Sequence, residues 1–258
     1  MTTIKIYDHN IRTIPSSLMA GEQPWSVRKV GCINSIQFFS DSNTVVCLQE
    51  VMHRQLVDIM EGLGDKWTYA GVARDDGATE GEYSPVIFRK DGFKLLETHV
   101  QSLSPTPDKI SNGWGAHLNR IVTIARLQHL ASGKTLHVLC THFDHQAILA
   151  RTNSARLVCE ISRKITGPLF LAGDFNAQPS EECYSVMEST LCDSSKTAQI
   201  RYGYDITYCG FSSADGDGVI DYIWTNQKSR TMKFGTLPAG FDAENFSDHR
   251  VLLAEFEI

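Results

Sequence analysis

Short, continuous apolar runs recur along the whole chain and limit the folds that are open to it. A run of about four to eight apolar residues without alternation is typical of a β-strand that is covered on both faces. The sequence therefore predicts strands over residues 4–11, 44–48, 85–88, 120–127, 136–141, 169–172, 219–224 and 251–258.

Helical patterns lie between these runs. Val27, Val30, Ile33 and Ile36 recur at every third residue after Pro24, which suits the start of a helix. Further helices are predicted over residues 56–63, 146–165 and 181–189. Helices that alternate with strands indicate packed sheets with helices on the outside. We expect one large domain over residues 1–258.

The composition is that of a globular protein, with 42% hydrophobic and 21% charged residues. No apolar run approaches the roughly 20 residues of a membrane-spanning helix, and the first residues lack the pattern of a secretory signal. The seven cysteines have no CxxC spacing, so a structural zinc site is disfavoured. Cys47, Cys140 and Cys159 lie in apolar runs and are expected to be buried thiols. These features predict a cytoplasmic protein, and none of them indicates an obligate protein partner.

Two long segments are rich in glycine, proline and polar residues. They cover residues 74–84 and 102–119, and both flank predicted strands. Because long irregular loops in a compact domain often serve function, we expect both to contact substrate.

Polar residues of the kinds that take part in catalysis stand at the ends of several predicted strands. They are Asn10, Glu50, His142, Asp174, Asn176, Asp221, Asp248 and His249. Each has a simpler explanation when it is taken alone. Asp174 and Asn176 suit a turn, and Glu50 could be a solvated charge. His142 could be a core histidine, and the pair 248–249 a helix cap or an ion pair. Their recurrence favours convergence at one edge of a sheet.

Such a cluster has the chemistry of phosphate ester hydrolysis. Glu50 and Asp248 are candidate ligands of Mg²⁺ or Mn²⁺, because hard cations take oxygen ligands and one or two carboxylates suffice. Asp174 with Asn176 could orient and deprotonate an attacking water. The candidate donors to the phosphoryl oxygens are His142, His249, Asn10 and Arg120. Glu82 and Asp221 are available to fix the tautomers of the two histidines.

The ordered motifs resemble the endonuclease/exonuclease/phosphatase superfamily over nearly the whole chain. The motifs are Asn10, Gln49-Glu50, Gly81-Glu82-Tyr83, Thr141-His142, Gly173-Asp174-Phe175-Asn176, Asp221-Tyr222-Ile223 and Ser247-Asp248-His249. The resemblance implies a four-layered α-β-β-α sandwich of two mixed β-sheets.

The resemblance also implies roles for individual residues. Glu50 would be the principal metal ligand, with Asn10 and Asp248 beside it. Asp174 and Asn176 would orient the nucleophile, His249 would contact the scissile phosphate with Asp221 behind it, and His142 would be a second phosphate-binding histidine supported by Glu82.

The substrate is less constrained than the reaction. A net charge of −6 without a Lys/Arg cluster disfavours a protein that grips duplex DNA. The sequence around residues 176–178 and 220–222 departs from inositol polyphosphate phosphatases, and His9-Asn10 departs from abasic-site endonucleases. Trp114 is expected either to anchor its loop or to stack on a base or sugar.

Three functions remain open from the sequence. The leading one is a phosphodiesterase or nuclease that acts on single-stranded nucleic acid or a nucleotide. The alternative is a phosphomonoesterase of a small nucleotide, sugar or inositol phosphate. A binding protein that has lost catalysis is disfavoured, because every polar position of the predicted site is present.

Overall fold

The apolar runs form strands of two mixed β-sheets, with helices between them in sequence. The computed structural model describes residues 2–212, 217–241 and 244–258. The strands are β1 (Thr3–Asn10), β2 (Thr44–Gln49), β3 (Trp67–Ala70), β4 (Val86–Arg89), β5 (Phe93–Ser102), β6 (Ile121–His129), β7 (Thr135–His142), β8 (Leu169–Asp174), β9 (Cys192–Asp193), β10 (Ile200–Gly203), β11 (Asp221–Thr225), β12 (Arg230–Thr236), β13 (Gly240–Phe241), β14 (Glu244–Asn245) and β15 (Leu252–Glu257). The helices are α1 (Trp25–Phe39), α2 (His53–Leu63), α3 (Ile148–Arg163), α4 (Glu182–Glu188) and α5 (Ser194–Thr197).

The first sheet has the strand order β10-β12-β15-β1-β2-β4-β3, and the second has the order β5-β6-β7-β8-β11-β9. Strands β13 and β14 form a separate ribbon. The pairs β1–β2 and β7–β8 are parallel, whereas β15 and β11 run antiparallel to their neighbours β1 and β8. Each sheet therefore has a parallel pair near its centre, and the carboxyl ends of such a pair share one edge.

Three hydrophobic clusters define four layers. One cluster fills the space between the two sheets and includes Ile6, Val138 and Phe170. A second packs α1 and α2 on the first sheet, and a third packs α3 and α4 on the second sheet. The predicted α-β-β-α sandwich is confirmed.

The eight predicted strands and four predicted helices are present, with ends that differ by a few residues. The sequence did not predict strands β3, β5, β9, β10, β12, β13 and β14 or helix α5. Strand β5 lies at a sheet edge and exposes half of its residues, so its sequence lacks the apolar run that marks the inner strands. The predicted loops 74–84 and 102–119 contain no helix, and only Ser102, the last residue of β5, belongs to a strand.

Strands β1 and β15 are antiparallel neighbours in the first sheet. Thr3 is opposite Glu257 at one end of the pair, and Asp8 is opposite Leu252 toward the other end. The start of β1 and the end of β15 therefore lie side by side at the same edge of the sheet.

Cys47, Cys140 and Cys159 are buried, as predicted, and all seven cysteines are free thiols. None of the helices in the described ranges is both long enough and apolar enough to cross a membrane.

Candidate active site

The polar strand-end residues continue the inward-facing rows of the two sheets. Side chains on a strand alternate between faces, so Asn10 lies on the same face of β1 as Ile6, within the layer between the sheets. In the same way Asp174 follows Ala172 on β8. His142 ends the neighbouring strand β7 and is in register with Asp174. The inner rows thus change from apolar to polar at one edge of the sandwich.

Asn10 joins the two sheets at this edge. Its Nδ2 donates hydrogen bonds to Glu50 Oε1 and to Asp174 Oδ2, each at 3.0 Å. The other oxygen of Glu50 accepts from the backbone N–H of Thr13 at 2.9 Å. These contacts hold one carboxylate from each sheet on either side of a single amide.

His249 lies between two carboxylates. Its Nδ1 is 3.0 and 2.9 Å from the two oxygens of Asp221, and its Nε2 is 3.7 Å from Asp174 Oδ2. Burial opposes the charged imidazolium, but the charge and hydrogen bonds of Asp221, together with Asp174, raise the pKa of His249 well above its usual range. His249 is therefore a cation at neutral pH, with Nε2 directed toward Asp174.

His142 has the opposite electrostatic environment. Burial and the nearby Arg120 lower its pKa to about 3, so it is neutral. Asn176 Nδ2 donates to Phe143 O at 3.0 Å, which fixes the orientation of the amide, and also to His142 Nε2 at 2.9 Å. The proton of His142 is consequently on Nδ1, which faces Glu82 Oε2 at 3.7 Å.

The carboxylates of the cluster differ in their affinity for a proton. Burial and the charge of Asp221 raise the pKa of Asp174. Burial, with a contribution from Glu50, raises the pKa of Asp248 to about 6. Burial also opposes ionisation of Glu50, but the hydrogen bonds from Thr13 and Asn10 contribute to a lowered pKa. Glu50 is thus the carboxylate of the three that is most readily ionised.

Arg120 and Asp144 connect this cluster to the loop 102–119. Arg120 is 4% exposed, its Nη2 is 3.0 Å from His145 Nδ1, and its Nε and Nη1 have no hydrogen-bond partner among the described residues. Asp144 accepts hydrogen bonds from the backbone N–H groups of residues 117 and 118 and of residues 146 and 147. The Asp144 carboxylate thereby ties the loop to the start of α3.

A cavity of about 410 Å³ opens over the cluster. The predicted site residues that line it are Glu50, Glu82, Arg120, His142, Asp174, Asn176, Asp248 and His249. Asn10 and Asp221 are buried directly behind these residues and contact them. Trp114 is half-buried in its loop and is not among the lining residues, so the structure offers no support for a stacking role.

Seven residues of the cavity lining were not predicted from the sequence. They are Arg12, Thr13, Met19, Leu118, His145, Tyr208 and Ile220. Arg12 and His145 had a signal, since each follows a predicted site residue closely at the same strand end. The others lie outside the named helices and strands, and their residue types carry no chemical signature.

Backbone strain is concentrated at this site. Four non-glycine residues in the described ranges have a positive φ, namely Arg12, Glu50, Trp114 and Asn176, and three of them line the cavity. A left-handed conformation costs a residue with a side chain about 1–2 kcal/mol, so it persists only where the surroundings enforce it. Such residues are typical of functional sites.

The donor set fits a hard divalent cation. Glu50, Asp248 and Asp174 offer oxygen atoms, which Mg²⁺ and Mn²⁺ prefer. Asn10 was also expected beside the metal, but its Oδ1 accepts from the N–H of Arg12 and its Nδ2 faces the carboxylates. The ligand atoms of Glu50, His142 and Asp174 lie within 4.8 Å of one another, as do those of Asp174, Asp221 and His249. The first of these groups opens on the cavity, while Asp221 and His249 are already paired with each other.

A sequence model described as "Endonuclease/Exonuclease/phosphatase family" matches residues 26–249 of the chain. Among curated proteins, Nocturnin of Drosophila melanogaster is 28% identical over 170 residues, which cover 63% of this chain and 26% of Nocturnin. The chain spans about a third or less of the length of the curated relatives that it matches.

Two solved structures are similar over their full length. The endonuclease/exonuclease/phosphatase from Bacteroides vulgatus is 31% identical with a TM-score of 0.91, and the alignment covers 100% of both chains. The mannosyl-6-phosphatase of Bacteroides thetaiotaomicron is 29% identical with a TM-score of 0.89, over 99% of this chain and 100% of that one.

Proposed function

The chain belongs to the endonuclease/exonuclease/phosphatase family, and on that premise we propose that it is a divalent-metal-dependent hydrolase of phosphate esters. The observation that carries the proposal is the buried row Asp221–His249–Asp174, which ends at the cavity beside Asn10 and Glu50. This row places a cation and a carboxylate with raised pKa values next to each other, where a phosphate and an attacking water would meet.

Asp174 is the proposed general base. Its raised pKa makes it a stronger base than an exposed aspartate, and the hydrogen bond from Asn10 fixes its Oδ2. The proton of the attacking water would be transferred to this oxygen. The second oxygen, Oδ1, accepts from the backbone N–H of Asn176 and so holds the carboxylate in one orientation.

His249 is the proposed donor to the negative charge that develops on the phosphoryl oxygens. Asp221 holds its Nδ1 and keeps the ring protonated, so that Nε2–H is available on the cavity side. A fixed donor of this kind stabilises a transition state more than the ground state, because its position requires no reorganisation.

Asn176 is proposed to position Asp174 through its backbone N–H, because both hydrogens of its side-chain Nδ2 are already donated to Phe143 O and His142 Nε2. Because the neutral His142 accepts from the Asn176 amide, its Nε2 has no proton to donate to substrate. We therefore assign His142 an indirect role through Asn176, which differs from the phosphate-binding role that the sequence resemblance implies.

Glu50 and Asp248 are the residues that would hold the cation, which is Mg²⁺ or Mn²⁺ on the basis of the oxygen donors. Asn10 has a supporting role, because its Nδ2 holds the Glu50 carboxylate in place. When it is bound, the cation supplies charge neutralisation for the phosphoryl oxygens.

The cavity favours a small phosphomonoester as substrate, the alternative of the two classes considered from the sequence. Its volume of about 410 Å³ is that of a small-molecule site. No lysine is among the described residues that line it, and three of the lining residues, Met19, Leu118 and Ile220, are uncharged. A polynucleotide would need a basic track along its backbone, whereas the phosphate of a sugar or nucleoside needs only the site itself. The full-length similarity to a mannosyl-6-phosphatase supports the same class.

The test is a substrate panel with the purified protein. It compares mannose 6-phosphate, a nucleoside monophosphate and p-nitrophenyl phosphate with bis-p-nitrophenyl phosphate and a labelled single-stranded oligonucleotide, each with Mg²⁺, Mn²⁺ or EDTA. We expect metal-dependent release of phosphate from the monoesters and little cleavage of the diesters. If the oligonucleotide is cleaved with a higher kcat/KM than any monoester is hydrolysed, the proposed phosphomonoesterase function is rejected and the nuclease function is favoured.

Two variants accompany the panel. Asp174→Asn removes the general base and should lower kcat about 10²-fold or more. Asp91→Asn is the matched control, because Asp91 is an exposed residue paired with Arg89 on a surface turn. Equal turnover of the two variants would remove Asp174 from the mechanism.

A further inference from the structure

Arg12 enters the cavity from the end of β1, where its backbone is held on both sides. Its N–H donates to Asn10 Oδ1 at 3.0 Å, and its carbonyl accepts from Gln55 Nε2 at 2.8 Å and from Arg28 Nη2 at 3.2 Å. The residue has a φ of 60°, which a residue with a side chain adopts only under such constraint. The fold therefore keeps Arg12 in a strained conformation that places its side chain in the cavity lining.

The guanidinium of Arg12 is surrounded by carboxylates but is not hydrogen-bonded to them. Its Nε is 3.6 Å from Glu22 Oε1 and 4.0 Å from Asp248 Oδ2, and its Nη1 is 4.0 Å from Glu50 Oε2. The Nε atom is buried and has no hydrogen-bond partner among the described residues. Arg12 therefore interacts with Glu50 and Asp248 through charge and not through hydrogen bonds. The N–H donors of its guanidinium remain free for another acceptor.

Two of these carboxylates are the proposed cation ligands. We propose that Arg12 exchanges partners: it neutralises Glu50 and Asp248 in the metal-free protein, and it binds the phosphate of the substrate when those carboxylates hold a divalent cation. The inference rests on the proposed function, since it takes the ligand set from there.

The exchange follows from the charges at the site. A guanidinium and a divalent cation that face the same two carboxylates repel each other, so each weakens the other's hold on them. Phosphate is the natural second partner, because the planar donors of arginine match its oxygens in a two-point contact. Glu22 does not compete strongly for Arg12, since Arg28 lies at the same distance of 3.6 Å from Glu22 Oε1.

The experiment measures two affinities that should change in opposite directions. The dissociation constant of Mn²⁺ is obtained from the electron paramagnetic resonance signal of the free ion. The dissociation constant of inorganic phosphate is obtained by calorimetry on protein saturated with Mg²⁺. Both are measured for the wild type, Arg12→Gln, Arg12→Lys and the control Arg126→Gln, which changes a half-exposed arginine on β6.

In Arg12→Gln, Mn²⁺ should bind about tenfold more tightly or better, because a positive charge a few ångströms from the ion is removed. Phosphate should bind about tenfold more weakly or worse, because a charge-assisted contact is lost. Arg12→Lys keeps the charge, so its Mn²⁺ affinity should stay near that of the wild type, while phosphate binding recovers only in part. Arg126→Gln should match the wild type in both.

Unchanged or weaker Mn²⁺ binding in Arg12→Gln would overturn the inference, as would unchanged phosphate binding. Either result, with normal Mn²⁺ binding by the wild type, leaves the proposed function intact. If the wild type itself binds no Mn²⁺, the proposed function fails and the inference fails with it. Melting temperatures establish that the variants are folded, and Arg12→Met, which also removes the charge, replaces Arg12→Gln if that variant does not fold.

Discussion

Arg28 should be a main determinant of stability, although it has no part in the proposed chemistry. It lies on α1, its side chain is 1% exposed, and its guanidinium donates to five backbone carbonyls. Three of these carbonyls belong to residues 11–13, the segment that carries Arg12 into the cavity, and the other two belong to Gln23 and Phe246. Replacement of Arg28 therefore affects the fold and the site together.

The expected loss for Arg28→Met follows from these contacts. Methionine is of similar length but cannot donate, so five carbonyls lose a partner, at a net cost of about 1 kcal/mol each. Relief of the desolvation of a buried guanidinium offsets part of that sum, and we expect the free energy of unfolding to fall by about 3–5 kcal/mol. Lysine keeps the charge and has three donors, so Arg28→Lys should lose roughly half as much.

Urea unfolding followed by tryptophan fluorescence measures these differences, with the half-exposed Arg126→Met as the matched control. The control should change the free energy of unfolding by less than about 0.5 kcal/mol, as is usual for surface positions. A loss below about 1 kcal/mol in Arg28→Met would refute the reasoning, because the five hydrogen bonds would then contribute nothing beyond what water supplies.

Three further predictions concern the site. Asp221→Asn removes the charge that raises the pKa values of His249 and Asp174. Both limbs of the profile of kcat/KM against pH should therefore move to lower pH, and turnover at the optimum should fall about 10²-fold. A profile that does not move would contradict this prediction. Asp248→Asn should stabilise the metal-free protein, since the folded-state pKa of Asp248 is raised to about 6 and its ionisation opposes folding. The gain should be about 3 kcal/mol above pH 6 and disappear below about pH 4, and thermal unfolding over this pH range in EDTA is the measurement. Asp144→Asn leaves only one side-chain oxygen to accept hydrogen bonds from four backbone N–H groups. The loop 102–119 should therefore be cleaved faster in limited proteolysis than in the wild type. Equal cleavage rates would show that Asp144 does not hold the loop in place.

The inner strands were predictable because their sequence carries two signals at once. In β8, four apolar or small residues precede Gly173-Asp174, so the run marks both a buried strand and the point where it reaches the edge of the sandwich. A glycine is also required at position 173, because a Cβ there would overlap the carbonyl oxygen of Thr141 on the neighbouring strand. The edge strand β5 has no such signal, since a half-exposed strand can be built from polar residues.

The clustering of the candidate site residues was predictable where chemically suited residues stand at strand ends, as at Asp174 and His249. Electrostatic states were not predictable in this way. The sequence gives no indication that His142 is neutral while His249 is cationic, because the difference arises from neighbours that are distant in the chain, Arg120 for one and Asp221 for the other. Lining residues such as Met19, Leu118 and Tyr208 escaped prediction for a similar reason, since they lie outside the named strands and helices and reach the cavity only in the folded chain.

The pairing of β1 with β15 has a practical consequence for anyone who handles the protein. Strand β1 ends and strand β15 begins at the cavity edge of the sheet. Thr3 and Glu257, at the other ends of these strands, lie opposite each other at the far edge. A strand of eight residues spans about 26 Å, so a peptide joined before Thr3 or after Glu257 is attached roughly that far from the cavity. Affinity tags, fluorophores or a surface linker can be placed at either position, and the two positions are close enough for a donor–acceptor pair to report on unfolding of the first sheet without obstructing substrate.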